Sequence, residues 1–149
     1  MNTSIRALLL SLAITVIGAN AAEVSFLNSS GSLAAELPFS EAVRVGDTVY
    51  LAGQLGALPG QMTVVPGGIV PETRQTLENI RNTLAAHGLR MSDVVKCTVM
   101  LADISEWGAF NKVYSEFFSK PFPARSAFGA NGLALNARVE VECIAAYKS

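Results

Sequence analysis

Residues 94–101 (VVKCTVML) read as a β-strand that is apolar on one parity (Val95, Cys97, Val99, Leu101) and half apolar on the other (Val94, Met100). Successive side chains of a strand point to opposite faces of its sheet, so this segment asks for cover on both sides. The remainder of the chain offers only two helical patterns, and two helices can cover one face. The second apolar parity then needs another partner, and a neighbouring subunit is the natural one.

The first helix is expected over residues 71–87. Pro71 and Glu72 suit its N-terminus, Leu77, Ile80 and Leu84 form one apolar stripe, and Gly88 ends it. The second is expected over 105–118, opened by Asp103-x-x-Glu106 as a capping box. Phe110, Val113 and Phe117 form its inner stripe, with Trp107 and Tyr114 beside it as core packing. Residues 40–45 and 48–54 alternate around Gly46-Asp47, a glycine-first turn suited to a type II′ hairpin. The Gly/Pro-rich stretch 55–68 is a loop with room for a short strand near 62–65. Pro121 and Pro123 break the chain before two further strands near 124–130 and 138–146. The order ββ-(β)-α-β-α-ββ describes one compact α+β domain.

The first 21 residues stand apart. Arg6 is followed by an 11-residue apolar run (7–17) and by Ala19-Asn20-Ala21, the pattern of a cleavable signal peptide. The run is shorter than the ~20 apolar residues of a membrane span. The expectation is an exported protein, periplasmic or secreted, with no membrane attachment after cleavage. Residues 22–36 are expected as a loose arm and 37–149 as the folded domain. Loss of Arg6 takes the net charge from −1 to −2, and no Lys/Arg block is present, which argues against a nucleic-acid partner. An oxidising compartment permits a disulfide between Cys97 and Cys143. Both lie on apolar strand parities, and two buried free thiols are the favoured expectation.

No metal site is expected, because the one histidine, His87, stands alone and the cysteines are 46 residues apart. There is no G-x-S-x-G elbow, P-loop or G-x-G-x-x-G. What remains is Arg125, after a proline turn, together with Glu140 and Glu142, which share a strand face while Val139, Val141 and Cys143 face the other way. A guanidinium can hold a carboxylate through two parallel hydrogen bonds. The simpler alternative is that Arg125 pairs with one of these glutamates.

Several segments in order, PFSEAVRVGDTVYLAGQLG, QTLENIRNTLAAHGL, VVKCTVMLADI, FNKVYSEFF, PARSAF and ARVEVECIAA, resemble the RidA/YjgF family of enamine/imine deaminases. The resemblance covers about residues 37–146. It implies a chorismate-mutase-like fold, a mixed sheet of about six strands with two helices on one face, and a homotrimer whose sheets form a central barrel with active sites between subunits. It implies hydrolysis of small 2-enamino and 2-imino acids, such as 2-aminoacrylate and its imine, to 2-keto acids and ammonia, without cofactor or metal. Position by position, Arg125 matches the arginine that binds the substrate carboxylate, and Glu140 the glutamate that orients or activates water. Gly53 matches a glycine whose backbone lines the pocket, and Asn111 an asparagine supporting it. Phe39 stands where well-studied members carry a substrate-contacting tyrosine, and Ala127 where cysteine is common. The lost hydroxyl favours the alternative of a trimeric binding module that holds small carboxylates without turnover.

Overall fold

In a computed structural model of the chain, residues 21–29 and 37–148 are described. Residues 1–20, nearly all of the expected signal peptide, and 30–36 of the expected arm lie outside them. Seven strands form one mixed sheet: β1 (Val24–Leu27), β2 (Ala42–Val45), β3 (Thr48–Leu51), β4 (Gln54–Leu55), β5 (Val94–Leu101), β6 (Ala124–Gly129) and β7 (Val139–Ala146). Their order is β1-β2-β3-β7-β5-β6, with β4 also on β7. Only β5 and β6 run parallel. The helices α1 (Ile69–Ala86) and α2 (Trp107–Phe117) pack side by side. Arg74 on α1 pairs with Glu116 on α2 at 2.7 Å. The α+β layer architecture expected from the order of elements is the one observed.

Alternation builds the core. Val139, Val141, Cys143 and Ala145 of β7 and Cys97, Val99 and Leu101 of β5 are buried against Leu77, Ile80 and Leu84 of α1 and Phe110 and Val113 of α2. The hairpin turns as expected, with Gly46 at φ 57° and Val45 opposite Thr48. The C-terminus of α1 closes as a Schellman motif. Gly88 takes a left-handed φ of 74°, its N–H donates to the Ala85 carbonyl, and the Leu89 N–H donates to the Leu84 carbonyl.

Other expectations are corrected. The two cysteines are not free thiols. Cys97 and Cys143 are register partners on β5 and β7, with Cα atoms 4.1 Å apart, and form a disulfide. A separation of 46 residues cannot disclose register, so the sequence could not bring the sulfurs together. A register shift between Val94 and Lys96 bulges β5, which buries Val94 and exposes Val95, the reverse of simple alternation. Part of the expected loose arm is a strand, because Phe26 pairs with Val43 and Leu27 with Ala42 at the sheet edge. Residues 62–65 form no strand, only an isolated bridge between Ala57 and Val64. Helix α1 begins at Ile69, so Pro71 is its third residue, still in the first turn, where no intrahelical N–H is required. The capping box before α2 does not close. Asp103 accepts from the Ser105 N–H at 2.9 Å, while Glu106 turns to Arg138, accepting from Nε at 2.8 and 3.0 Å.

Among the described residues no helix covers the other face of the sheet. A row across it runs Phe26, Val43, Tyr50, Ile144 and Lys96, and a parallel row runs Leu55, Glu140, Met100 and Phe128. Phe26 is 74% exposed and Tyr50 and Phe128 are each 48% exposed. The apolar character of this face comes from the flanking strands more than from β5, where the sequence placed it.

Candidate active site

Arg125 follows the Pro121–Pro123 turn on the edge strand β6 and pairs in register with Cys97. Its side chain therefore points to the helix side of the sheet and lies over α2. The guanidinium carbon stands 4.4 Å from the Tyr114 ring centroid, 5.7 Å from that of Phe110 and 5.8 Å from that of Trp107. The three rings come from positions 107, 110 and 114, one face of the helix, and give the cation a π-surface to rest on. Among the described residues no carboxylate lies within ion-pair distance of Arg125. The simpler alternative, an Arg125–glutamate pair, is not what the structure holds.

Arg125 opens onto a cleft of about 500 Å³ between α2 and the segment leading into β6. From α2, Gly108, Asn111, Lys112 and Ser115 face it, at helix spacings of three and four. Phe122 and Pro123 form the opposite, apolar wall. Tyr114 also lines the cleft, and its hydroxyl is buried with no hydrogen-bond partner among the described residues. Burial raises the Tyr114 pKa, opposed by the nearby Arg125 charge, so the phenol stays protonated and is a donor without an acceptor.

Glu140 is elsewhere. On β7 it alternates with buried Val139 and Val141, so its side chain lies on the helix-free face. Gly53, between β3 and β4, packs against it: a Cβ at Gly53 would collide with Glu140 Oε1. The glycine is thus what lets the backbone approach the carboxylate. Asn79 of α1 holds this segment in place by donating to the carbonyls of Leu55 and Ala57 at 2.9 and 2.8 Å. Burial pushes the Glu140 carboxyl above the usual carboxylate range, with the Glu142 carboxylate two residues along as a second cause. Phe39 lies in the turn before β2, 52% exposed, and is not part of the cleft lining.

The five residues singled out from the sequence therefore fall into two groups and an outlier. Arg125 and Asn111 share the cleft; Gly53 and Glu140 touch on the opposite face of the sheet; Phe39 joins neither. Tyr114 and Lys112 line the cleft without having been singled out. The only signal for Lys112 was its place beside Asn111 on a helix face, and Tyr114 looked like any core aromatic. No three His, Cys, Asp or Glu side chains converge as metal ligands among the described residues.

A family model described as Endoribonuclease L-PSP matches residues 29–147. The 2-iminobutanoate/2-iminopropanoate deaminase of Capra hircus is 47% identical over 108 residues, 72% of this chain and 79% of that protein. The chain belongs to the RidA/YjgF family. The crystal structure of RidA from an Antarctic Psychrobacter superposes with a TM-score of 0.76 at 36% identity, over 83% of this chain and 99% of that one. The crystal structure of Escherichia coli TdcF with bound serine gives a TM-score of 0.75 at 27% identity, over 83% of this chain and 99% of that one. The family fold and the observed mixed sheet with two helices thus agree.

Proposed function

We propose that this protein is a hydrolytic deaminase of small reactive 2-enamino and 2-imino acids, releasing 2-keto acids and ammonia. The observation that carries the proposal is Arg125: a guanidinium backed by three aromatic rings, facing a cleft, with no carboxylate partner among the described residues. A half-buried guanidinium with no protein counter-charge is placed to take a carboxylate from a ligand. The substrate carboxylate fits that role, and relatives named as imino-acid deaminases support the reaction class.

Arg125 and Glu140 point to opposite faces of their own sheet, so both can reach one substrate only if Glu140 comes from another copy. A homotrimer packed through the apolar, helix-free faces would bring Glu140 and Gly53 of one subunit to the Arg125 cleft of the next, with Phe39 free to close the pocket. In this arrangement Arg125 fixes the carboxylate and thereby the imine carbon. Water adds to the carbon of the protonated imine as Glu140 accepts a water proton, giving a neutral carbinolamine. Glu140 then returns that proton to the nitrogen, and the C–N bond breaks as the carbinolamine hydroxyl gives its proton to Glu140 and becomes the C=O, releasing ammonia. The imine is already electrophilic, so positioning and proton transfer suffice and no cofactor is called for. The raised pKa of Glu140, caused first by burial and then by Glu142, suits a group that both takes and gives a proton. The reading as an exported protein rests on residues 1–21 alone.

The test generates imino acids with an amino-acid oxidase and follows keto-acid release. The wild-type protein is expected to accelerate release, and Arg125→Ala to lower kcat/KM about 100-fold. Equal acceleration by both proteins rejects the assignment. The alternative binding module, favoured by the missing hydroxyl at Phe39, predicts calorimetric binding of 2-ketobutyrate with no turnover.

A further inference from the structure

The deaminase reading accounts for one cation in the cleft, and the cleft contains two. Lys112, an exposed residue next to Asn111 on α2, lines the same cleft as Arg125. Among the described residues Lys112 pairs with no carboxylate, and no Asp or Glu contributes to the lining. Elsewhere on the two helices the cations are matched: Arg74 with Glu116, and Arg81 with Glu78. A mono-carboxylate substrate answers Arg125 and makes no use of Lys112. A substrate with a second negative group at the far end of its side chain satisfies both.

The space allows it. Gly108 opens the same helix face one turn before Lys112, and nothing lies within 4 Å of where its Cβ would be. Arg125 presents a planar fork suited to the carboxylate beside the reacting carbon. Lys112 is a point charge on a flexible stem, suited to a terminal carboxylate whose distance varies. Phe122 and Pro123 offer an apolar wall to the methylenes between.

We infer that the preferred substrates are dicarboxylic 2-imino acids, the imines of acidic amino acids, with Lys112 as the specificity-determining residue. The inference rests on the deaminase reading and names its substrate class. The reaction is unchanged: imine and water give a 2-oxo dicarboxylate and ammonia. Such an imine is supplied by two-electron oxidation of an acidic amino acid, by an oxidase or dehydrogenase.

The experiment compares kcat/KM for 2-iminosuccinate and 2-iminopropanoate, each generated in place by an oxidase, for wild type, Lys112→Ala, Lys112→Arg and Lys112→Glu. The wild type is expected to favour the diacid. Lys112→Ala is expected to lower the diacid-to-monoacid ratio about fivefold, the size of a partly exposed ion pair. Lys112→Arg should restore the ratio and Lys112→Glu depress it further, and added salt should narrow the wild-type preference. A ratio that does not respond to Lys112, or a wild type that turns over the monoacid alone, overturns the assignment while leaving the deaminase reading intact. Turnover of neither imine removes both.

Discussion

At the scale of single residues, the proposed chemistry depends on the protonation of Glu140. Burial first, and Glu142 second, raise its pKa. A base must be ionised to accept the proton of water, so kcat/KM should rise with pH along a limb set above the ordinary carboxylate value of ~4.3. Glu142→Gln removes the lesser cause and should shift the limb slightly down. Glu140→Gln should cost about 100-fold or more in rate and abolish the limb. Rates corrected for uncatalysed imine hydrolysis, taken between about pH 4 and about pH 8, check this; a limb that survives Glu140→Gln assigns it to another group. Arg125 and the pair Glu140 and Glu142 could be found in the sequence because charged residues in an apolar stretch are conspicuous, and only the family resemblance separated Glu140 from Glu142. Tyr114 could not: helical periodicity does not distinguish a ring under a guanidinium from one in the core, and Tyr114 is both, stacked on Phe118 at 4.4 Å and under Arg125 at the same distance.

Among the elements, the joint between the sheet edge and the end of α1 is tied by one carboxylate. Glu41 is 8% exposed and accepts from the Ser29 N–H at 2.6 Å, the Ser29 hydroxyl at 2.7 Å and the Thr83 hydroxyl at 2.8 Å. His87 Nε2 lies 4.0 Å away. Burial alone would raise the Glu41 pKa, but these hydrogen bonds and the histidine outweigh it and leave the value lowered. The folded pKa is thus below the unfolded one, so the stability this group contributes is complete above the ordinary carboxylate range. It is lost as pH falls through the depressed folded value. Glu41→Gln should cost about 1–2 kcal/mol near neutral pH, and the gap to wild type should close in acid. Urea denaturation at about pH 7 and about pH 3 measures both; a gap independent of pH would mean that shape rather than charge holds the joint. The hairpin, both helices and the succession of strands and helices along the chain were legible because each has a local cause in turn residues or apolar period. The bulge at Val95, the edge strand β1 and the Cys97–Cys143 disulfide were not, since each depends on which residue stands across the sheet.

For the whole molecule, one sheet separates the two halves of the proposed site. The disulfide fixes the row that ends at Arg125, joining β5 to β7 across a chain separation of 46 residues; loop closure of that length contributes about 4 kcal/mol in the chain-entropy model. The two strands do not slide, and no adjustment of this core turns Glu140 to the helix side, because Val139 and Val141 would then leave it. A site using both residues must therefore be shared between copies, and sharing has a quantitative signature. Arg125→Ala and Glu140→Gln chains should each be nearly inactive as homo-oligomers. Unfolded together in equal amounts and refolded, they should recover about a quarter of wild-type activity, because random assembly gives one interface in four an intact Arg125 and an intact Glu140. Refolding each variant alone should recover none. If the mixture also stays inactive while forming oligomers of wild-type size, the two residues do not meet across an interface, and water activation must be sought on the cleft side, where the unpartnered Tyr114 hydroxyl is the next group to test.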